Sequence, residues 1–139
     1  MNDIAITLPL TLWVKICSGE KRFEFRKSIP QRFDNENSRC YVILKGTNLV
    51  AGYLCLSTFT QMPNNDYNLQ KALELAKAPF GWVWAYYSNS PKICAWKISH
   101  VYYYKERINV RLLLGLMRNP QSYVYVDRPS LNINPIKIR

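Results

Sequence analysis

"CSGEKRFEFRK", residues 17–27, places four basic and two acidic side chains around Phe23 and Phe25. What precedes it fixes how it is read. Pro9 stands where the first turn of a helix tolerates a missing N–H, and Leu10, Trp13, Val14 and Cys17 follow at helical spacing. Gly19 is placed to close that helix in a left-handed conformation. The quoted stretch is therefore a helix C-terminus turning into a strand. From Lys21 to Lys27 the pattern alternates, which directs Phe23 and Phe25 onto a buried face against the helix that carries Trp13. The same alternation puts Arg22, Glu24 and Arg26 on the opposite, solvated face. Pro30 ends the strand.

Working outward, "IAIT" (residues 4–7) has strand character, and "QRFDNENSR" (31–39) is a polar loop. "CYVILK" and "LVAGYLCLSTFT" read as two strands joined through the Lys45-Gly46-Thr47-Asn48 turn, a hairpin. Leu69, Ala72, Leu73 and Ala76 recur at i, i+3, i+4 and i+7, which predicts a short amphipathic helix with Asn68 as its cap and Pro79 beyond its end. "GWVWAYYSN" (81–89) fits helix or strand equally. "KICAWKISHVYYY" (92–104) is rich enough in β-branched and aromatic residues to be a long strand. A last helix uses Val110, Leu113, Leu114 and Met117, and "SYVYV" (122–126) supplies a closing strand before a tail from about residue 128. Strands in hairpin-like succession among short helices predict one α+β domain over residues 1–139, built on a mostly antiparallel, partly closed barrel.

Composition narrows the partners. Nineteen Lys and Arg against nine Asp and Glu leave a net charge of +10 on 139 residues, so polyanions are the natural electrostatic partners. Aromatic residues form 14% of the chain, with four Trp and ten Tyr, which suits base stacking as well as core packing. "MNDIAITLPLTLWVK" has no basic leader before a long apolar run, and no later run approaches the ~18 residues a membrane span needs, so a cytoplasmic protein is expected. Cys17, Cys40, Cys55 and Cys94 are far apart, form no C-x-x-C pair and have only His100 to help them. Reduced thiols are expected, with no metal and no cofactor.

Gly19, Lys21, Glu24 and Arg26 spell G-x-K-x-x-E-x-R, which resembles the signature of the ASCH domain, a member of the PUA-like superfamily of small β-barrels associated with RNA. "NPQSYVYV" (119–126) is similar to the element that closes many such domains, and "YYSNSPKICAWKISHV" (86–101) to the segment leading toward their last helix. The resemblance spans nearly the whole chain. It implies a PUA-like barrel with short flanking helices, and a groove beside the motif that receives a nucleotide or single-stranded RNA. Lys21, Arg22, Glu24, Arg26 and Lys27 are then the candidate nucleic-acid-binding residues, and Trp82, Trp84, Tyr86 and Tyr87 candidate stacking groups.

The residue types suit such a site. A lysine at a helix end holds a phosphate or, when desolvated, acts as a base, and an arginine presents a planar fork to phosphate. Glu24 can pair with the flanking arginines, orient Lys21 or accept a base amino group. Set against this is a plain surface cluster of Arg22, Glu24 and Arg26, worth at most ~1 kcal/mol per exposed pair. Gln121 and Ser122 read as structural groups that satisfy backbone or cap a turn. Some ASCH proteins hydrolyse acetylated cytidine with the motif lysine, a hydroxyl residue three positions later and a distant glutamate. Lys21 matches the first, but Glu24 replaces the hydroxyl residue. Other ASCH proteins are ribonucleases, for which Lys21 and Glu24 are the catalytic candidates, since His100 falls in the long strand. The sequence thus predicts a domain that binds RNA or a modified nucleotide. A hydrolase of the same fold and a protein-interaction module with an acidic partner are the alternatives.

Overall fold

The computed structural model describes residues 2–131 and 133–139. In chain order the elements are β1 (Asp3–Leu8), α1 (Leu10–Ser18), β2 (Phe23–Arg26), β3 (Cys40–Leu44), β4 (Leu49–Pro63), α2 (Asp66–Ala76), α3 (Phe80–Tyr87), β5 (Lys92–Asn109), α4 (Val110–Leu114), β6 (Tyr123–Val126) and β7 (Ile136–Lys137). The strands form one sheet in the order β2-β5-β4-β3-β1-β6, with β7 also on β5. Among the described residues only β1 and β3 pair in parallel, and the other strand pairings are antiparallel. This is the expected α+β architecture, with a curved sheet whose two ends, β2 and β6, are not hydrogen-bonded to each other as strands.

Curvature comes from the longest ladder. β4 and β5 pair from Leu49↔Asn109 to Pro63↔Lys92, and the register slips between Val50 and Gly52 and again on both sides of Leu56. Such irregularities bend a strand and increase its twist. At the first of them a Cβ on Gly52 would lie 2.0 Å from the Tyr102 carbonyl oxygen, so only glycine lets β4 and β5 approach so closely.

Both faces of the sheet are covered, and alternation along the strands sorts side chains between them. Ile4, Ile6, Cys40, Val42, Leu54 and Trp96 share one core with Trp13 and Ile16 of α1. Ala5, Tyr41, Ile43 and Tyr53 point the other way, into a second core closed by Val110 and Leu113 of α4. A third core joins Phe25, Ile93 and Ala95 to Ala72 and Ala76 of α2 and to Val83 and Tyr87 of α3, with Phe23 packed at its margin.

Several local expectations change in the folded chain. The phenylalanines of β2 pack against α2 and α3 rather than α1. Helix α1 buries Leu12, Trp13 and Ile16, while Leu10 and Val14 are exposed. So many of its residues are apolar that the spacing admits more than one buried face. Helix α2 starts earlier than expected: Asn65 is the cap, its side chain accepting from the Asn68 backbone N–H. The ambiguous "GWVWAYYSN" is helical. α4 stops at Leu114 because Gly115 turns left-handed (φ 71°), which leaves Met117 outside it and exposed. Beyond residue 128 the chain returns to the sheet as β7, facing Tyr102 and Tyr103.

No helix among the described residues is long and apolar enough to cross a membrane. All four cysteines are free thiols; Cys40 and Cys94 are buried, Cys17 and Cys55 half-buried.

Candidate functional site

The turn after α1 sets the site. Gly19 adopts φ 87° and its N–H donates to the Ile16 carbonyl, after which the Lys21 N–H donates back to Lys15. This reversal carries the Lys21 side chain under the C-terminus of α2, where Nζ donates to the Ala76 carbonyl at 2.8 Å. A cation is favoured there because the last carbonyls of a helix lack partners within it. Lys15 does the same one residue on, donating to the Lys77 carbonyl.

Glu24 and Arg26 are not solvated, which corrects the outward-facing cluster expected from alternation. Lys21, Glu24 and Arg26 are 1%, 4% and 7% exposed. The phenylalanines of β2 take the side toward α2 and α3, and Glu24 lies opposite Trp96 in the ladder, facing the interior enclosed by the curved sheet. Charge is retained there because it is paired. The Glu24 carboxylate accepts from Arg26 Nη2 at 2.8 Å and Nε at 3.1 Å, and its other oxygen stands 3.4 Å from Lys21 Nζ. Arg26 also donates to the Thr7 and Ser122 carbonyls, at 3.4 and 3.5 Å, and its guanidinium lies 5.9 Å from the Trp96 ring.

These contacts set the charge states. Burial pushes the Lys21 amine below its ordinary pKa, and the adjacent Glu24 offsets only part of that. Burial would raise the Glu24 carboxyl, but Arg26 and Lys21 more than compensate and hold it below its ordinary value, as an anion. For Arg26 the burial penalty is outweighed by Glu24, which raises its pKa and keeps the guanidinium charged.

The triad forms the polar floor of a pocket of about 420 Å³. One wall is Thr7, Leu8, Pro9 and Leu12, another is Trp82, Val83, Tyr86 and Tyr87 of α3, and Lys45, Pro120 and Gln121 stand at its margin. The Thr7 hydroxyl donates to the Pro120 carbonyl, and the Tyr87 hydroxyl to the Arg26 carbonyl. Such a cavity, with mostly apolar walls and a few convergent polar groups, has the size and character of a small-molecule site.

Of the residues singled out in the sequence, Lys21, Glu24 and Arg26 are brought together. Arg22 is exposed and donates to the Gly19 carbonyl, and it does not line the cavity. Lys27 is also exposed, its Nζ 4.7 Å from the Tyr86 ring centre, which puts it beside the cavity rather than in its wall. Trp82, Tyr86 and Tyr87 line the pocket. Trp84 instead stacks on Phe80, rings 6.0 Å apart and nearly parallel, outside the cavity. Gln121 is a lining residue, whereas Ser122 contributes its backbone carbonyl to Arg26. His100 is exposed on β5 and not part of the pocket. Sequence reading missed Thr7, Lys45 and Pro120. Thr7 and Pro120 meet across more than a hundred residues, and no local pattern encodes that.

No protein-family model matches the chain, and no curated protein matches it. Among solved structures, the ASCH protein of Zymomonas mobilis is similar at a TM-score of 0.72 and 19% identity, over 91% of this chain and 88% of that one. A serine-to-alanine mutant of the same protein superposes at 0.70 with 18% identity, covering 91% and 89%. Its tyrosine-to-phenylalanine mutant gives 0.69 with 18% identity, covering 91% of each. What is shared at this identity is the fold.

Proposed function

We propose that this chain, which has the ASCH fold, binds a nucleotide or one nucleotide of a single-stranded RNA in the pocket floored by Lys21, Glu24 and Arg26. The observation that carries the reading is the combination of aromatic walls with a fixed, charged hydrogen-bonding floor. A planar base gains stacking and apolar burial between Trp82, Tyr86 and the opposite wall. The Glu24 carboxylate accepts from a base amino group, and Lys21 donates to a ring nitrogen or carbonyl oxygen. Arg26 has most of its donors engaged by Glu24 and two backbone carbonyls, so its role is to hold the acceptor in place. That differs from the phosphate fork read in the sequence.

Trp82, about half exposed at the pocket, makes the binding measurable. Titrating the protein with the four ribonucleosides, their monophosphates and short single-stranded RNAs should give a saturable change in tryptophan fluorescence, absent in Trp82→Phe. Lys21→Met should weaken binding at least tenfold while the protein stays folded by circular dichroism. Failure of every one of these ligands to saturate the wild-type protein would reject the pocket as a nucleotide site.

A hydrolase is the second reading, and one observation favours it. The Lys21 amine is enclosed and its pKa lowered, so it loses its proton more readily than a surface lysine and can serve as a general base. Glu24 orients it. The hydroxyl expected three residues after the lysine is absent, although the Thr7 hydroxyl lines the same cavity. Incubation with N4-acetylcytidine and with single-stranded RNA tests this; turnover that disappears in Lys21→Met supports it, and none in the wild type rejects it.

A further inference from the structure

Resting on the pocket reading above, we propose that the ligand is phosphorylated and that its phosphate is held outside the floor by Lys45, on the turn between β3 and β4. The floor itself disfavours a phosphate. Its two cations are already committed, Lys21 to Ala76 and Glu24, and Arg26 to Glu24, Thr7 and Ser122. Its carboxylate is held ionised, so a phosphate brought there meets a like charge and must displace an existing pair. An anion attached to a ligand in this cavity is therefore driven toward the mouth.

Lys45 is the cation that meets it there. It lines the pocket, is exposed, and its backbone N–H is tied to the Leu8 carbonyl, which anchors the turn to the end of β1. Its ammonium has no hydrogen-bond or ion-pair partner among the described residues, in contrast to Lys15, Lys21 and Arg26. The turn is itself well held: Gly46 takes the left-handed conformation, the Thr47 hydroxyl donates to the Leu44 carbonyl, and Asn119 donates to the Thr47 carbonyl at 2.7 Å. A compact cation on a fixed turn suits the terminal phosphate of a mononucleotide or the diester of a strand equally.

The test compares each ribonucleoside with its 5′- and 3′-monophosphates and with a dinucleoside monophosphate, on wild type, Lys45→Ala, Lys45→Arg and Arg111→Ala. Arg111 is exposed on α4 and supplies the same charge change away from the pocket. At least one phosphorylated ligand should bind the wild type roughly tenfold more tightly than its nucleoside, as expected for one charge-assisted contact at a partly solvated site. Lys45→Ala should abolish that preference, read as the ratio of phosphorylated to nucleoside affinity on the same variant, and should make the salt dependence shallower by about one unit. Lys45→Arg and Arg111→Ala should keep it. A preference confined to the dinucleotide identifies the source as a strand, and one confined to a monophosphate identifies a free nucleotide. Nucleoside binding with no phosphate preference, or a preference that survives Lys45→Ala, overturns this inference and leaves the pocket standing. Absence of all binding to the wild type overturns both.

Discussion

Glu24→Gln removes the single negative charge between two buried cations at almost no cost in volume. In the wild type the carboxylate takes two hydrogen bonds from Arg26, at 2.8 and 3.1 Å, and faces Lys21 at 3.4 Å, with all three side chains nearly excluded from solvent. Removing one member of a buried ion pair leaves the other charge desolvated and uncompensated, a loss of about 3–5 kcal/mol. That is a fifth or more of the stability of an ordinary small domain, roughly 5–15 kcal/mol. Urea unfolding followed by tryptophan fluorescence should show the unfolding free energy falling by that amount, as a lower midpoint at unchanged slope. The pH dependence has a fixed sign. Glu24's folded pKa lies below its ordinary 4.5, so its contribution is present above that value and disappears as pH falls through the folded one. Glu24→Gln should lack that component of acid destabilisation. The combined variant Lys21→Met, Glu24→Leu, Arg26→Met removes all three charges and should recover much of the loss. A Glu24→Gln protein within about 1 kcal/mol of wild type at neutral pH would refute the ion-pair reasoning, because only solvated pairs are worth so little.

Three other substitutions probe the frame around the site. Gly52→Ala puts a methyl 2.0 Å from the Tyr102 carbonyl oxygen and 2.7 Å from the Tyr103 Cα, both backbone atoms of the β4–β5 ladder; a loss of about 3 kcal/mol or more is expected in urea unfolding, at the upper end of overpacking costs. Arg139→Ala removes the guanidinium that donates to the Ile16 carbonyl at 2.8 Å near the end of α1, and should lower stability by about 1–2 kcal/mol, with faster hydrogen exchange at that helix end. Tyr87→Phe deletes the buried hydroxyl that donates to the Arg26 carbonyl at 2.9 Å, and should cost about 1 kcal/mol without changing the ring's packing in the third core.

The elements that the sequence made legible are those written in local chemistry. Pro9 and Gly19 bracket α1 as a helix start and a left-handed stop do, the Lys45–Asn48 turn joins two strands, and G-x-K-x-x-E-x-R brings Lys21, Glu24 and Arg26 together. What alternation misassigned was the direction of Glu24 and Arg26. Period-two reasoning assumes one wet face, but α2 and α3 cover one side of β2 and the curved sheet encloses the other. Charges on such a strand are buried by topology, and nothing within β2 distinguishes them from a solvated row. Lys45 and Thr7 were illegible for a related reason: each lies in an ordinary hairpin turn or strand, and it becomes a pocket residue only when Pro120 and Gln121 return to the same place. "GWVWAYYSN" defeated periodicity because α3 offers apolar side chains on three sides, toward the core (Val83, Tyr87), the pocket (Trp82, Tyr86) and solvent (Phe80, Trp84).

The pocket exists where the sheet fails to close. β2 and β6 end the strand order unpaired with each other, and Arg26 spans the gap, reaching the Thr7 carbonyl on β1 and the Ser122 carbonyl just before β6. Trp96 and Tyr123 meet edge to face beside it, 6.0 Å apart. A side chain thus replaces a ladder, and one residue serves both the fold and the floor of the cavity. Arg26→Lys separates these roles. Lysine keeps the charge that neutralises Glu24, but its ammonium is a single point with three donors and cannot hold one carboxylate and two carbonyls in the plane of a guanidinium. Its stability loss should therefore fall below that of Glu24→Gln, at about 1–3 kcal/mol for two weakened buried contacts. The seam, by contrast, should loosen: amides of β6 from Tyr123 to Val126 should exchange with solvent faster than in wild type, and those in the β4–β5 ladder should not. Ligand affinity should fall with them, because Thr7, Pro120 and Gln121 lose their fixed distance from Glu24. Unchanged exchange across β6 would show that the seam is held by the apolar contacts around Trp96 and Tyr123 alone, and that Arg26 acts only as a counter-charge.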